Sequence, residues 1–176
     1  MVVLPESRAA GGCAGPGPGI LGGTSRAARG RIVRGLVRRD WGEAMTDGLV
    51  TLPSNYPVPD TIDRLRDAVT TAGLRVFARV DHAAGAREAG LELRPTELLV
   101  FGNAQGGTPL MQDKQTAGID LPLKALAWAD EDGQTWLSYN DPAWIAGRHA
   151  LGESSAAAVQ TLRGAIGKLA HAAAGA

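Results

Sequence analysis

The residues best suited to chemistry lie in Phe101-Gly-Asn-Ala-Gln-Gly-Gly-Thr-Pro-Leu-Met-Gln112. An apolar strand runs into a glycine-rich loop, and Thr108-Pro109 carries the signature of a helix start. Backbone N–H groups of Gly106, Gly107 and Thr108, beside Asn103, would then face an anion at the positive end of a helix. Phosphate or carboxylate capture is the chemistry this implies. The loop lacks the Gly-Lys-Ser/Thr ending of a Walker loop and the G-x-G-x-x-G spacing of a dinucleotide fingerprint. The plainer reading of the same residues is a strand-to-helix turn capped by Thr108.

His82 is the second candidate. It follows a strand and opens a short helix, where the positive helix end disfavours an imidazolium. A neutral ring can ligate haem iron or another metal, or act as a general acid–base group. Ala83, Ala84, Gly85 and Ala86 leave room beside it for a flat ligand. An enzyme reading would pair His82 with Asp120 or Tyr139 and requires hydrogen-bonding distance between them; Asp81 could also meet His82 and Asp120 in space. The duller reading is a histidine bonded locally. His149 reads as packing near a helix end, where a cationic ring is favourable, and His171 as exposed tail. Ser138 is not in a nucleophile elbow. Tyr139 ends a strand and could line a pocket. Asn140-Asp141-Pro142 reads as a helix cap. Trp128, Trp136 and Trp144 read as core.

The elements that must position these residues follow from periodicity. Gly48–Leu52 is a short strand. Pro59–Ala72 is a helix with Ile62, Leu65, Val69 and Ala72 on one face, stopped by Gly73. Leu74–Val80 alternates as a strand, and Asp81 caps a helix over His82–Ala89. Thr96–Phe101 is a buried strand, and Pro109–Ala117 a helix. Ala125–Ala129 and Thr135–Tyr139 form a hairpin across Asp130-Glu-Asp-Gly133. Pro142–His149 is helical, and Ser154 or Ser155 caps a last helix carrying Val159, Leu162, Ile166, Leu169 and Ala173. The order β-α-β-α-β-α-β-β-α-α predicts an α+β, two-layer sandwich: a mixed sheet of about five strands with helices packed on it.

Composition limits the rest. The 176-residue chain is 44% hydrophobic, enough for one core, and has no apolar run of membrane-spanning length. Cys13 is its single cysteine, so intramolecular disulfides are excluded and a reducing, cytoplasmic setting fits. The net charge is zero, but residues 1–44 hold seven arginines against three acidic residues, and the remainder carries the compensating acidic surplus. An acidic remainder without a basic stripe argues against nucleic-acid binding. Residues 1–44 lack helical or strand periodicity and read as a disordered Gly/Ala/Arg-rich extension. Met45 is a natural start, which would leave that extension untranslated, ahead of a single α+β domain over residues 45–176.

Four segments carry a resemblance: Phe77–Ala86, Leu93–Asn103, Gly107–Leu126 and Trp136–Trp144. Together they resemble the bacterial family called Domain of Unknown Function 302, over roughly Met45–Leu151. The resemblance implies a compact α/β sandwich and brings no established catalytic residues. Members often carry Pro-Lys where this chain has Ala104-Gln105, and the missing lysine weakens a phosphate site. The leading expectation is a small soluble domain binding haem or an anionic metabolite near His82 and the 102–108 loop. The alternatives are an enzyme using His82 and a structural or dimerisation module forming a homodimer.

Overall fold

The computed structural model describes residues 48–175. The expected extension over residues 1–44 and the start at Met45 lie outside the described residues. Five strands, β1 (Leu49–Pro53), β2 (Arg75–Asp81), β3 (Thr96–Gly102), β4 (Leu123–Ala129) and β5 (Thr135–Asn140), form one sheet in the order β1-β5-β4-β3-β2. Among the described residues five α-helices interleave with them: α1 (Val58–Thr71), α2 (His82–Glu88), α3 (Ala104–Asp113), α4 (Pro142–Arg148) and α5 (Glu153–Ala174). A 3₁₀ turn over Gln115–Ile119 follows α3.

Every strand pairing is antiparallel, where the sequence suggested a mixed sheet. The reason is topological. The β1-α1-β2 crossover joins strands of the same direction, but it carries the chain from one edge to the other, so they never become neighbours. The other helical connections, α2 and α3, link adjacent antiparallel strands instead.

The sheet alternates as its sequence does. Leu99 and Phe101 of β3, Ala125 and Ala127 of β4 and Leu137 of β5 share one core with Ile62, Leu65 and Val69 of α1. Ile166, Leu169, Ala170 and Ala173 of α5 complete it. α1 lies across β3 and β4, while α5 packs mainly against α1, α3 and α4 and reaches the sheet at β1. On the opposite face Trp128 and Trp136 pair across β4 and β5, with ring centroids 6.3 Å apart. Trp128 Nε1 donates to Ser138 Oγ, and Trp136 Nε1 donates to Asp130 Oδ2.

Asp81 caps α2 and Asp141 caps α4, as their sequence contexts suggested. Two helix starts differ. α5 is capped at Gly152 rather than at a serine, because the Ser155 hydroxyl is drawn to Asp113 Oδ2, 2.7 Å away. α3 begins at Ala104, five residues before the expected start at Pro109.

Candidate functional site

The early start of α3 redraws the glycine segment. Asn103 is extended and acts as the cap: its Oδ1 accepts from the Gly106 N–H at 2.7 Å, and its carbonyl accepts from the Gly107 N–H at 3.3 Å. The Asn103 cap prevails over the Thr108-Pro109 signal even though Pro109 then lies inside α3, where it has no N–H for the Gln105 carbonyl. The loop expected to offer N–H groups of Gly106 and Gly107 to an anion is therefore a first helical turn that satisfies them internally. Gly106 is also a close-approach position: a Cβ there would meet Leu162 Cδ2 at 2.8 Å.

Two clefts flank this turn. The first, about 280 Å³, is lined by Phe77, Asn103, Gly107, Thr108, Met111, Leu121, Pro122 and Leu162, among others. The second, about 290 Å³, lies on the side of Gln105, Gly106, Thr161 and Ala165. Both touch Gly102, Asn103, Leu123 and Leu162, which makes Leu162 the wall between them. The first cleft is apolar apart from Asn103 and Thr108. Among the described residues neither Asn103 Nδ2 nor the Thr108 hydroxyl is spent on a protein hydrogen bond, so both remain to orient a guest. A broader, solvent-open depression of about 620 Å³ lies between Ser54–Pro59, Arg94-Pro95 and Asp130–Thr135. Its breadth gives little enclosure, and the apolar clefts are better shaped to desolvate a ligand.

The sequence candidates divide accordingly. Asn103, Gly107 and Thr108 line the first cleft and Gly106 the second. His82 is not with them. The β2–β3 register pairs Asp81 with Glu97 and Arg75 with Gly102, so His82 stands at one end of β3 and Asn103 at the other. At about 3.3 Å per residue that separates them by roughly 20 Å. His82 is exposed, and among the described residues no group of three or more His, Cys, Asp or Glu side chains could hold a metal. Tyr139 packs against the main core, near Gly167 of α5, and lines neither cleft. The single pocket expected between His82 and the glycine segment is thus not formed, and among the described residues no histidine lines the cleft at Asn103.

The Asp120 expectation is also revised: its partner is His149, not His82. His149 Nε2 lies 2.7 Å from Asp120 Oδ2, and both side chains are buried. His149 Nδ1 lies 3.1 Å from the Thr116 hydroxyl, and Arg148 Nε 3.6 Å from Asp120 Oδ2. Nothing in sequence spacing joins residues 29 positions apart. Met111 stands four residues beyond Gly107 on one helical face, a relation that exists only in a helix begun at Ala104.

The chain matches the family described as domain of unknown function DUF302 over residues 50–169. It belongs to the DUF302 family. The crystal structure of an uncharacterized conserved protein DUF302 from Bacillus stearothermophilus shares the fold, with a TM-score of 0.64 at 17% identity, over 72% of this chain and 98% of that one. Two Brucella proteins share more sequence. Fluoride-specific ion channel FluC 1 of Brucella suis biovar 1 is 54% identical over 128 residues, 73% of this chain and 50% of that protein. Fluoride-specific ion channel FluC 1 of Brucella abortus biovar 1 is also 54% identical over 128 residues, which are 47% of that protein. This DUF302 chain spans about half the length of the curated relatives it matches. Among its described residues no helix is long and apolar enough to cross a membrane.

Proposed function

We propose that this DUF302 domain binds a small amphipathic molecule, an apolar body with a carboxylate or similar acceptor head, in the cleft beside Asn103. The observation that carries the reading is the pairing of an apolar cleft of about 280 Å³ with two uncommitted donors, Asn103 Nδ2 and the Thr108 hydroxyl. The N-terminus of α3 adds a positive end at the same place, which favours an anionic head. The lining favours a compact anionic metabolite over haem, which would want a histidine on the cleft wall. The volume lies at the small end of the range for ligand sites, so the guest is compact. A cytoplasmic setting suits such a metabolite and a chain with one cysteine.

Octanoate is a suitable probe, with octanol as its uncharged counterpart. Asn103→Asp keeps a good helix cap while replacing the amide donor with a negative charge. Calorimetry is expected to show octanoate bound by the full chain and at least about tenfold weaker in Asn103→Asp, equivalent to roughly 1.4 kcal/mol. Octanol should be affected far less. Equal octanoate affinity in both proteins, or none in the wild type, contradicts the proposal.

A second reading rests on the Brucella relatives. If their matched half folds as here, it has no spanning helix either, and conduction belongs to the other half. The domain would then work alongside a fluoride channel. Fluoride tolerance of cells lacking this chain tests that link, and unchanged tolerance counts against it.

A further inference from the structure

The Thr116–His149–Asp120 cluster lies outside the clefts and has the connectivity of an activated nucleophile. Asp120 is buried, and as a carboxylate it only accepts hydrogen bonds. The 2.7 Å contact therefore fixes the proton of His149 on Nε2, donating to Asp120 Oδ2. In the neutral ring Nδ1 is then the acceptor, and the Thr116 hydroxyl lies 3.1 Å from it. The imidazole is shielded, with its side chain 8% exposed, whereas Thr116 is at the surface. A base held in one tautomer by a third group, with an accessible hydroxyl on its other nitrogen, is the arrangement that activates hydroxyl nucleophiles. Arg148 Nε, 3.6 Å from Asp120 Oδ2, gives that carboxylate a second cationic neighbour.

We infer that Thr116 is a nucleophile for activated acyl esters, with His149 as its general base and Asp120 as a positioning residue. Thr116 Oγ attacks the ester carbonyl carbon as its hydroxyl proton passes to His149 Nδ1. The tetrahedral adduct then expels the leaving oxygen, which takes that proton and departs as an alcohol or phenol, leaving the acyl group esterified to Thr116. Water attacks this ester, its proton passes through Nδ1 to Thr116 Oγ, and a carboxylic acid is released. The net reaction is ester plus water to acid plus alcohol, with no redox change.

The test uses the full chain with p-nitrophenyl acetate, read by phenolate release and by peptide mass spectrometry. Wild type is expected to carry a transient acetyl group on Thr116. Thr116→Val, at an exposed position, and His149→Gln are expected to lose about a hundredfold of the rate above the background of surface amines, the range for a positioned acid–base group. Asp120→Asn should retain the fold by circular dichroism, move the His149 proton to Nδ1 by ¹⁵N chemical shift, and lose the acetyl-threonine. Should Asp120→Asn unfold, Thr116→Val still decides the matter. Wild-type hydrolysis in Thr116→Val, or acetylation confined to lysines in the wild type, overturns the inference.

Discussion

Gly106 and Gly107 are neighbours in the first turns of α3, yet alanine should act on them in opposite senses. In a helix interior alanine is favoured over glycine by roughly 0.8–1 kcal/mol, because glycine loses more backbone entropy on folding. At Gly107 a new Cβ meets Leu121 Cδ1 at 3.6 Å and Met111 Cε at 4.0 Å, which are ordinary contacts. Gly107→Ala should therefore stabilise by about 0.5–1 kcal/mol while narrowing the cleft. At Gly106 the Cβ would lie 2.8 Å from Leu162 Cδ2 and 3.1 Å from Asn103 Oδ1, the capping atom itself. Leu162 must rotate into a cleft and the cap must lengthen, an overpacking cost of about 1–3 kcal/mol against the same propensity gain. Gly106→Ala should come out about 0–2 kcal/mol less stable than wild type. The two variants should thus differ by roughly 0.5–3 kcal/mol, one to several degrees in Tm at about 2–4 °C per kcal/mol for a chain of this size. Urea melts followed by tryptophan fluorescence resolve that difference. Equal stability of the two variants would refute the placement of Leu162 over Gly106 and the cap at Asn103.

Other outcomes follow from the ion pairs and caps. Glu97 is buried and bonded to Arg79, with Nε to Oε2 at 2.7 Å, and Arg79 also reaches Asp63 of α1. Arg79→Met leaves that carboxylate without its cation and should cost about 1–3 kcal/mol in urea melts; adding Glu97→Gln should recover part of it, and additive losses would count against the pairing. The Ser155 hydroxyl first, and then the Gly152 N–H, hold the Asp113 carboxyl below its ordinary range. A carboxyl depressed in the folded state adds stability above its unfolded pKa of about 3.9 and loses it as pH falls through the lower folded value. Asp113→Asn should therefore be less stable near neutrality and show a shallower stability loss below about pH 4; an unchanged acid limb in thermal melts would contradict the bond to α5.

Much of this fold was legible because its signals are local. Leu99 and Phe101 alternate in β3, Ile62, Leu65 and Val69 recur at helical spacing, and Asp81 and Asp141 sit where caps belong. Strand direction was not legible, since it depends on which edge α1 delivers β2 to. The start of α3 was misplaced because two local signals compete: Thr108-Pro109 is the stronger pattern, but Asn103 lies at the strand end and captures the Gly106 N–H first. The site suffered more than the fold. Asn103, Gly107 and Thr108 line a cleft, but Leu162 comes from α5 and Leu121 from beyond the 3₁₀ turn, and only tertiary packing brings them there. His82 drew attention by its residue type, while the histidine held by a carboxylate is His149, whose partner no short-range pattern reveals.

Occupancy of the cleft beside Asn103 is the property on which the proposed ligand binding depends. The most direct measurement is an octanoate titration of the isotopically labelled full chain, followed by amide and methionine-methyl NMR. Saturable shifts are expected at Gly102, Asn103, Gly107 and Thr108 and at the Met111 methyl, with His82 and Tyr139 unmoved. Shifts gathered at His82 instead, or none that saturate at the Asn103 end of the sheet, would contradict it.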